Sequence, residues 1–336
     1  MANNELPDPL LLKSDNLPTL IAHRLRMVCS AQTAMALPPV RGPVLRGALV
    51  GALLADFCLV AGRDGCGAPP LAAACPVCSL LATAEEGVGH GVEAPRPFTI
   101  EPPLGSVGAF APGDPFEFGL TLVGDAVALL PYLLAGVSRM GAGGMGNRGA
   151  APGRFVLREV WAVDPLHGRQ HRLMSHDEET ITMPDLPITH AAALERAGRL
   201  PRETITLELL TPLRLVSESK LVHRLTFEPL LRRLLRRLDQ LALATTGHGL
   251  DLPFTDLVEA SRAVRVVRDG TRWLDANSHS SRTGRVTPIG GLVGAITFAG
   301  DLSPFLPWLV WGEIAHVGKD TTKGNGWYRL TRTPPA

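Results

Sequence analysis

The chain has 336 residues, 45% of them hydrophobic and 19% charged, a composition that excludes a disordered protein and is long enough for two domains with separate cores. The formal net charge of +1 gives no global case for nucleic acid, yet residues 1–200 carry 15 basic and 19 acidic side chains while residues 201–336 carry 18 and 13, so an anionic partner is expected on the second half. Met1 to Asp8 lack a basic region ahead of their apolar run, so no secretory signal is expected and the cytoplasm is the expected location.

In chain order, Thr19 to Cys29 mixes apolar residues with His23, Arg24 and Arg26 and predicts a strand with one wet face. Pro38 to Pro43 predicts a turn, and Pro43 suits the first turn of a helix running through Arg46 to about Phe57. Cysteines and loops follow, with a strand near Pro97 to Glu101. Phe116 to about Val163 then reads as strand, helix, glycine-rich loop and strand. Within it, Gly119 to Val137 is apolar enough to suggest a membrane span, but Asp125 and Pro131 interrupt it and flanking positive charge is missing, so it is expected to be buried in protein, with no membrane partner. Residues 166–200 alternate poorly and predict a linker or irregular excursion. Thr204 to Leu209 alternates as a strand, Phe227 to about Ala244 is helical, and Ala263 to Val267 is strand-like.

The stretch from Gly300 through Pro307 to Gly312 repeats the pattern of Gly124, Pro131 and Gly136 at a constant offset of 176 residues. Glycine-rich loops (Gly141 to Gly149; Gly318 to Gly326) and short apolar runs follow both copies. Such spacing argues for related domains in tandem. The element order in each is the split βαβ of a ferredoxin-like fold, so the expected class is α+β with two tandem ferredoxin-like, RRM-like domains. Their expected bounds are 1–165, with a cysteine-containing insertion, and 201–336.

Several motifs bear on chemistry. Gly141 to Gly146 spells a dinucleotide fingerprint, but it follows a helix and precedes a strand, the reverse of the required order. The Gly318-Lys319 loop lacks the first glycine and the hydroxyl residue of a phosphate-binding P-loop. What its glycines offer is either close approach to a phosphate chain, with N–H groups as donors, or simply a tight turn. Arg232, Arg233, Arg236 and Arg237 fall on one side of a helix whose leucines form a buried stripe, which predicts either a cationic strip for RNA phosphates or a plain solvated face. Cys58, Cys66, Cys75 and Cys78 suggest a structural zinc site, although only Cys75 and Cys78 have convincing ligand spacing; reduced buried thiols are the alternative.

Gly42 to Leu49, Cys75-Pro-Val-Cys78, Leu122 through Gly146, Gly290 to Gly294, Gly300-Asp301 and His316 through Gly326 together resemble the CRISPR-associated endoribonucleases that process precursor CRISPR RNA, within the RAMP superfamily. The resemblance spans nearly the whole chain. It implies two RRM-like domains that bind a CRISPR repeat or guide RNA and cut it without a metal, leaving a 2′,3′-cyclic phosphate, and implies other CRISPR effector subunits as partners. The candidate RNA-binding residues are Arg24, Arg26, Arg46, Arg148, Arg232, Arg233, Arg236, Arg237, Lys319 and Lys323, with Gly318, Gly324 and Gly326. The family commonly places a histidine near its first helix, yet none lies between Pro38 and Phe57 here. His23 is therefore the first candidate for proton transfer, followed by His171, His176 and His279; His316 reads as a helix-end residue. A non-catalytic RAMP subunit that holds guide RNA, and a zinc-stabilised RNA-binding module of another family, are the alternative readings.

Overall fold

The computed structural model describes residues 20–58, 75–81, 95–105, 108–146, 151–178, 180–279 and 284–332. They divide into two compact units, the first over 22–187 and the second from 188 onward together with residues 20 and 21.

In the first unit, β1 (Ala22–Ala31), β2 (Phe98–Glu101), β3 (Pro115–Val123), β4 (Phe155–Asp164) and β5 (Arg169–Ser175) form one antiparallel sheet in the order β2-β3-β1-β4-β5. Helix α1 (Gly42–Phe57) links β1 to β2, and α2 (Leu130–Gly143) links β3 to β4. The alternation of β1 sends Leu25, Met27 and Cys29 to one face, opposite Leu120, Phe118 and Phe116 of β3. That face is covered by apolar residues of the helices, among them Leu45, Leu49 and Leu53 of α1 and Leu130, Leu133, Leu134 and Val137 of α2. Each fully buried leucine stabilises the fold by about 1.5–3 kcal/mol. Pro43 stands in the first turn of α1, where its missing N–H costs nothing. Among the described residues one helical stretch, Gly124–Gly143, is long and apolar enough to cross a membrane. Its leucines are core residues of this unit.

The second unit repeats the order. Strands β6 (Thr204–Leu213), β7 (Arg265–Asp269), β9 (Gly291–Ala299) and β10 (Tyr328–Thr331) pair as β7-β9-β6-β10, and the short β8 (Arg272–Leu274) also pairs with β9. Four helices accompany them: α3 (His190–Gly198), α4 (Phe227–Thr246), α5 (Phe254–Ser261) and α6 (Leu306–Ala315). The two units are tandem ferredoxin-like folds. The repeat is kept to the residue: β3 spans 115–123 and β9 spans 291–299, while α2 begins at 130 and α6 at 306, all offset by the same 176. Gly124 and Gly300, which end those strands, both have positive φ. Gly136 and Gly312 both mark a close helix approach: a Cβ on Gly136 would lie 2.8 Å from Leu53, and one on Gly312 would lie 1.9 Å from the Tyr328 hydroxyl.

The linker expected over 166–200 is in part regular structure. Arg169–Ser175 is an edge strand on β4, and His190–Gly198 is a helix capped by the Thr189 hydroxyl, which accepts from the amide of Ala192. Alternation failed to reveal the strand because only Leu173 of its seven residues is buried, as suits an outer edge. The strand expected at Ala263 to Val267 runs instead from Arg265 to Asp269, behind helix α5.

Candidate nucleic-acid interface

Helix α4 supplies the arginines. Nine of its twenty residues are buried, chiefly leucines spaced three and four apart, so the helix is pinned by one face. Arg232, Arg233 and Arg236 leave the opposite side and line an open groove of about 560 Å³ with Arg262, Glu228, Pro229, Val216, Ser217 and Glu218. Four guanidinium groups against two carboxylates give the lining a net positive charge. Glu228 holds Arg232, accepting from its Nε at 2.6 Å, and Glu259 holds Arg262 at 2.6 Å. Arg236 lies over the Phe254 ring, 5.6 Å from its centroid. Burial, and then the neighbouring Arg236, lower the pKa of Arg233, so the groove holds crowded positive charge that an anion would relieve. The far wall is a short hairpin, Val216–Ser217 with Lys220–Leu221, whose Glu218 and Ser219 both have positive φ, the geometry of a type I′ turn.

Arg237 is a correction to the four-arginine strip. It is 8% exposed, and its Nε donates to the carbonyl of Ala315 at 2.9 Å. It therefore binds the last residue of α6, where cationic groups offset the helix dipole. Arg262 takes its place in the groove. Periodic apolar residues at Phe254, Leu257 and Val258 could have disclosed the short helix that carries it.

For the glycine-rich loop after α6, the hydrogen bonds fit the second of its two readings, a tight turn. The amides of Lys319, Lys323, Gly324, Asn325 and Gly326 all donate to protein carbonyls, so they are spent on the fold rather than presented to phosphate. Gly318 and Gly326 have positive φ, and a Cβ on them would meet the carbonyl oxygens of Arg214 at 2.5 Å and Val317 at 1.8 Å. The glycines allow chain to pack on chain. In the first unit a Cβ on Gly146 would likewise meet the carbonyl of Ala36 at 2.4 Å. Lys323 Nζ contacts Asp320 at 2.8 Å, and Lys319 keeps an exposed side chain.

In the first unit the charge of Arg24 is balanced by the buried Glu101 at 2.6 Å, and Arg26 contacts Gln170 at 3.0 Å over the Trp161 ring. Arg46 is half-exposed on α1. Arg148 and Cys66 lie outside the described residues. Cys75 and Cys78 are buried beside Val77 and Leu80, Cys58 packs at the edge of the same core, and among the described residues no three metal-binding side chains come together.

His23 opens β1 opposite Leu122, half-buried, with no hydrogen-bond partner for Nδ1 among the described residues. Burial lowers its pKa, which keeps the ring neutral and able to accept a proton. His171 Nδ1 is paired with Asp185 at 2.9 Å on an exposed edge, His176 follows that strand, and His279 is exposed on a separate hairpin. His316 is buried and stacks on Trp327, with centroids 5.9 Å apart.

His190 has a purely structural setting. Its ring packs 4.8 Å from Trp308, and its Nδ1 accepts from Trp311 Nε1 at 3.0 Å. Burial pushes its pKa down to about 4. The unfolded chain, with an ordinary histidine pKa near 6.5, takes up the proton first, so this group's stabilisation is complete above about pH 6.5 and is lost as pH falls toward 4. Urea unfolding at pH 7 and pH 4 is expected to show wild type losing about 3 kcal/mol more than His190→Asn, which keeps an acceptor and does not titrate.

Residues 17–186 match a family model described as the AF_1859_N N-terminal domain, and residues 207–328 match one described as CRISPR-associated endoribonuclease Cas6. No curated protein matches the chain. Among solved structures it is similar to a chain of a partial Cas6-RT-Cas1–Cas2 complex, with TM-score 0.58 and 14% identity over 94% of this chain and 47% of that one. It therefore spans about half the length of that relative. A Cas6 product complex gives TM-score 0.54 at 16% identity, and Thermus thermophilus Cas6 gives 0.51 at 15%, each over 93% of this chain and 99% of the other. At such identities the likeness to these structures is one of fold.

Proposed function

We propose that the chain is a Cas6-type CRISPR-associated RAMP protein, in line with the Cas6 family model that matches residues 207–328, and that it binds CRISPR repeat RNA and cuts it once, without a metal ion, to give guide RNA. The observation that carries this reading is the groove where Arg232, Arg233, Arg236 and Arg262 converge, because guanidinium groups match phosphate geometry and four of them line one open surface.

RNA carries its own nucleophile. In the proposed step a base removes the proton of a ribose 2′-hydroxyl, the 2′-oxygen bonds to the adjacent phosphorus, and the bond from phosphorus to the 5′-oxygen breaks as that oxygen gains a proton. The products are a 2′,3′-cyclic phosphate and a 5′-hydroxyl end. His23 is the proposed base, since partial burial favours its neutral form. Lys319, exposed at the glycine-rich loop, and Arg46 are proposed contacts to the RNA backbone. Other CRISPR proteins are proposed partners, in line with the Cas6-RT-Cas1–Cas2 relative.

A second reading, a RAMP subunit that holds guide RNA and does no chemistry, is favoured by the lack of any histidine from Pro38 to Phe57. Labelled repeat RNA incubated with the protein in excess EDTA separates the two. The enzyme yields a single cut whose upstream fragment resists phosphatase until acid opens the cyclic phosphate, and His23→Ala slows the cut by about 100-fold or more. Tight binding with intact RNA would favour the subunit; unchanged cleavage by His23→Ala would remove that residue from the mechanism.

A further inference from the structure

Four chain segments of the second unit meet at unusually short range. A Cβ on Gly290 would stand 2.5 Å from the carbonyl oxygen of Leu274, one on Gly291 would stand 2.5 Å from that of Leu213, and one on Gly318 would stand 2.5 Å from that of Arg214. The amide of Lys319 donates to the Arg214 carbonyl at 2.9 Å, closing the junction. Three glycines at such contacts fix the segments 213–214, 274–276, 290–291 and 318–319 as one rigid base.

The side chains raised on this base form a pile. The exposed imidazole of His223 lies against Trp273, with ring centroids 4.3 Å apart and planes tilted by 43°. The guanidinium of Arg214 lies 6.0 Å from the same indole. Each member is held in place: Trp273 Nε1 donates to Asp275 at 3.0 Å, Arg214 Nη1 donates to the Gly290 carbonyl at 2.9 Å, and the Trp273 backbone pairs with Leu292 in the sheet. An exposed imidazole on a half-exposed indole, with a fixed cation beside them, does little for stability, and neither the groove nor the proposed cleavage chemistry uses them.

We propose that Trp273, His223 and Arg214 form a stacking subsite for one unpaired nucleobase of the RNA, the base extending the His223–Trp273 pile and its phosphate meeting Arg214. The proposal rests on the RNA-binding reading above and adds what that reading does not specify, a site for single-stranded sequence beside a duplex. A base inside a stem has its faces covered by its neighbours, so only an unpaired base can join the pile, and every base has a face to offer. The subsite therefore selects strand state rather than sequence. The hairpin wall of the arginine groove ends at Leu221, two residues before His223, so one RNA molecule can engage both.

The test compares two RNAs: the repeat hairpin with its unpaired flanks, and the same hairpin trimmed to the stem and loop. Trp273→Ala is expected to weaken binding of the flanked RNA by about five- to 150-fold and to leave the trimmed RNA unchanged, while Trp273→Phe keeps most of the affinity. Equal effects on both RNAs, or none on either, would overturn the subsite while leaving RNA binding intact. Wild type that prefers neither RNA over an unrelated hairpin would instead overturn the RNA-binding reading, and the subsite with it. Because Trp273 contributes to the sheet, a second measurement uses wild-type protein: 2-aminopurine placed at each unpaired position in turn should be quenched at one position, and His223→Ala should relieve that quenching. Quenching at no position counts against the pile.

Discussion

Replacing Arg232, Arg233 and Arg236 together by glutamine is expected to weaken repeat-RNA binding by about 100-fold or more at physiological salt, and to flatten the slope of log affinity against log salt by about 2 to 3. The slope is the sharper readout. Every phosphate that no longer meets an arginine takes about 0.7 to 0.9 off it, whereas a variant that merely loosens the fold lowers affinity at every salt concentration alike. Two controls sit on the same helix. Glu228→Gln releases Arg232 from its carboxylate partner and should steepen the slope by up to about 0.9. Arg237→Gln should leave the slope unchanged and cost about 2 kcal/mol of folding stability, because its guanidinium serves the Ala315 carbonyl at the end of α6. A triple variant with an unaltered slope would dismiss the groove as the RNA site.

Those controls mark the boundary of what was readable in the residues. A helical wheel puts 233 and 237 within a fraction of a turn of each other, and on that arithmetic the four arginines belong together. What separates them is the C-terminal end of α6, seventy-eight residues away, which comes down on the Arg237 side and draws that guanidinium inward. No local pattern contains that fact. The duplicated fold, by contrast, was legible from three glycine and proline positions at a fixed offset, because each marks a place where the backbone itself is constrained: the positive φ of Gly124 and Gly300, the helix starts at Pro131 and Pro307, and the close approaches at Gly136 and Gly312. Constraints on the chain leave a sequence signature. Constraints met only after folding, such as the pile of His223 on Trp273 or the edge position of β5, leave almost none, since their residues look like ordinary loop and surface composition.

The constraint at Gly312 also sets the largest expected loss of stability. Gly312→Ala should lower folding stability by about 3 to 5 kcal/mol in urea unfolding. A methyl group there would stand 1.9 Å from the Tyr328 hydroxyl and 3.1 Å from Leu234, and the tyrosine is the neighbour that is fixed. Tyr328 is 1% exposed, its hydroxyl donates to the Leu309 carbonyl at 2.7 Å, and its backbone is paired with Leu209 in the sheet. Moving the ring would break that hydrogen bond inside the core, where an unsatisfied hydroxyl costs about 1 to 3 kcal/mol by itself. The corresponding change in the first unit, Gly136→Ala, meets aliphatic side chains, Leu53 at 2.8 Å and Leu49 at 3.3 Å, and should cost markedly less. A double-mutant cycle isolates the cause. Tyr328→Phe removes the atom in conflict, so the pair Gly312→Ala with Tyr328→Phe should be more stable than the sum of the two single losses by about 1 kcal/mol or more. Additive losses would mean that the hydroxyl is not what excludes a side chain at 312, and the close packing of α6 on β10 would have to rest on the ring carbons and Leu234 instead.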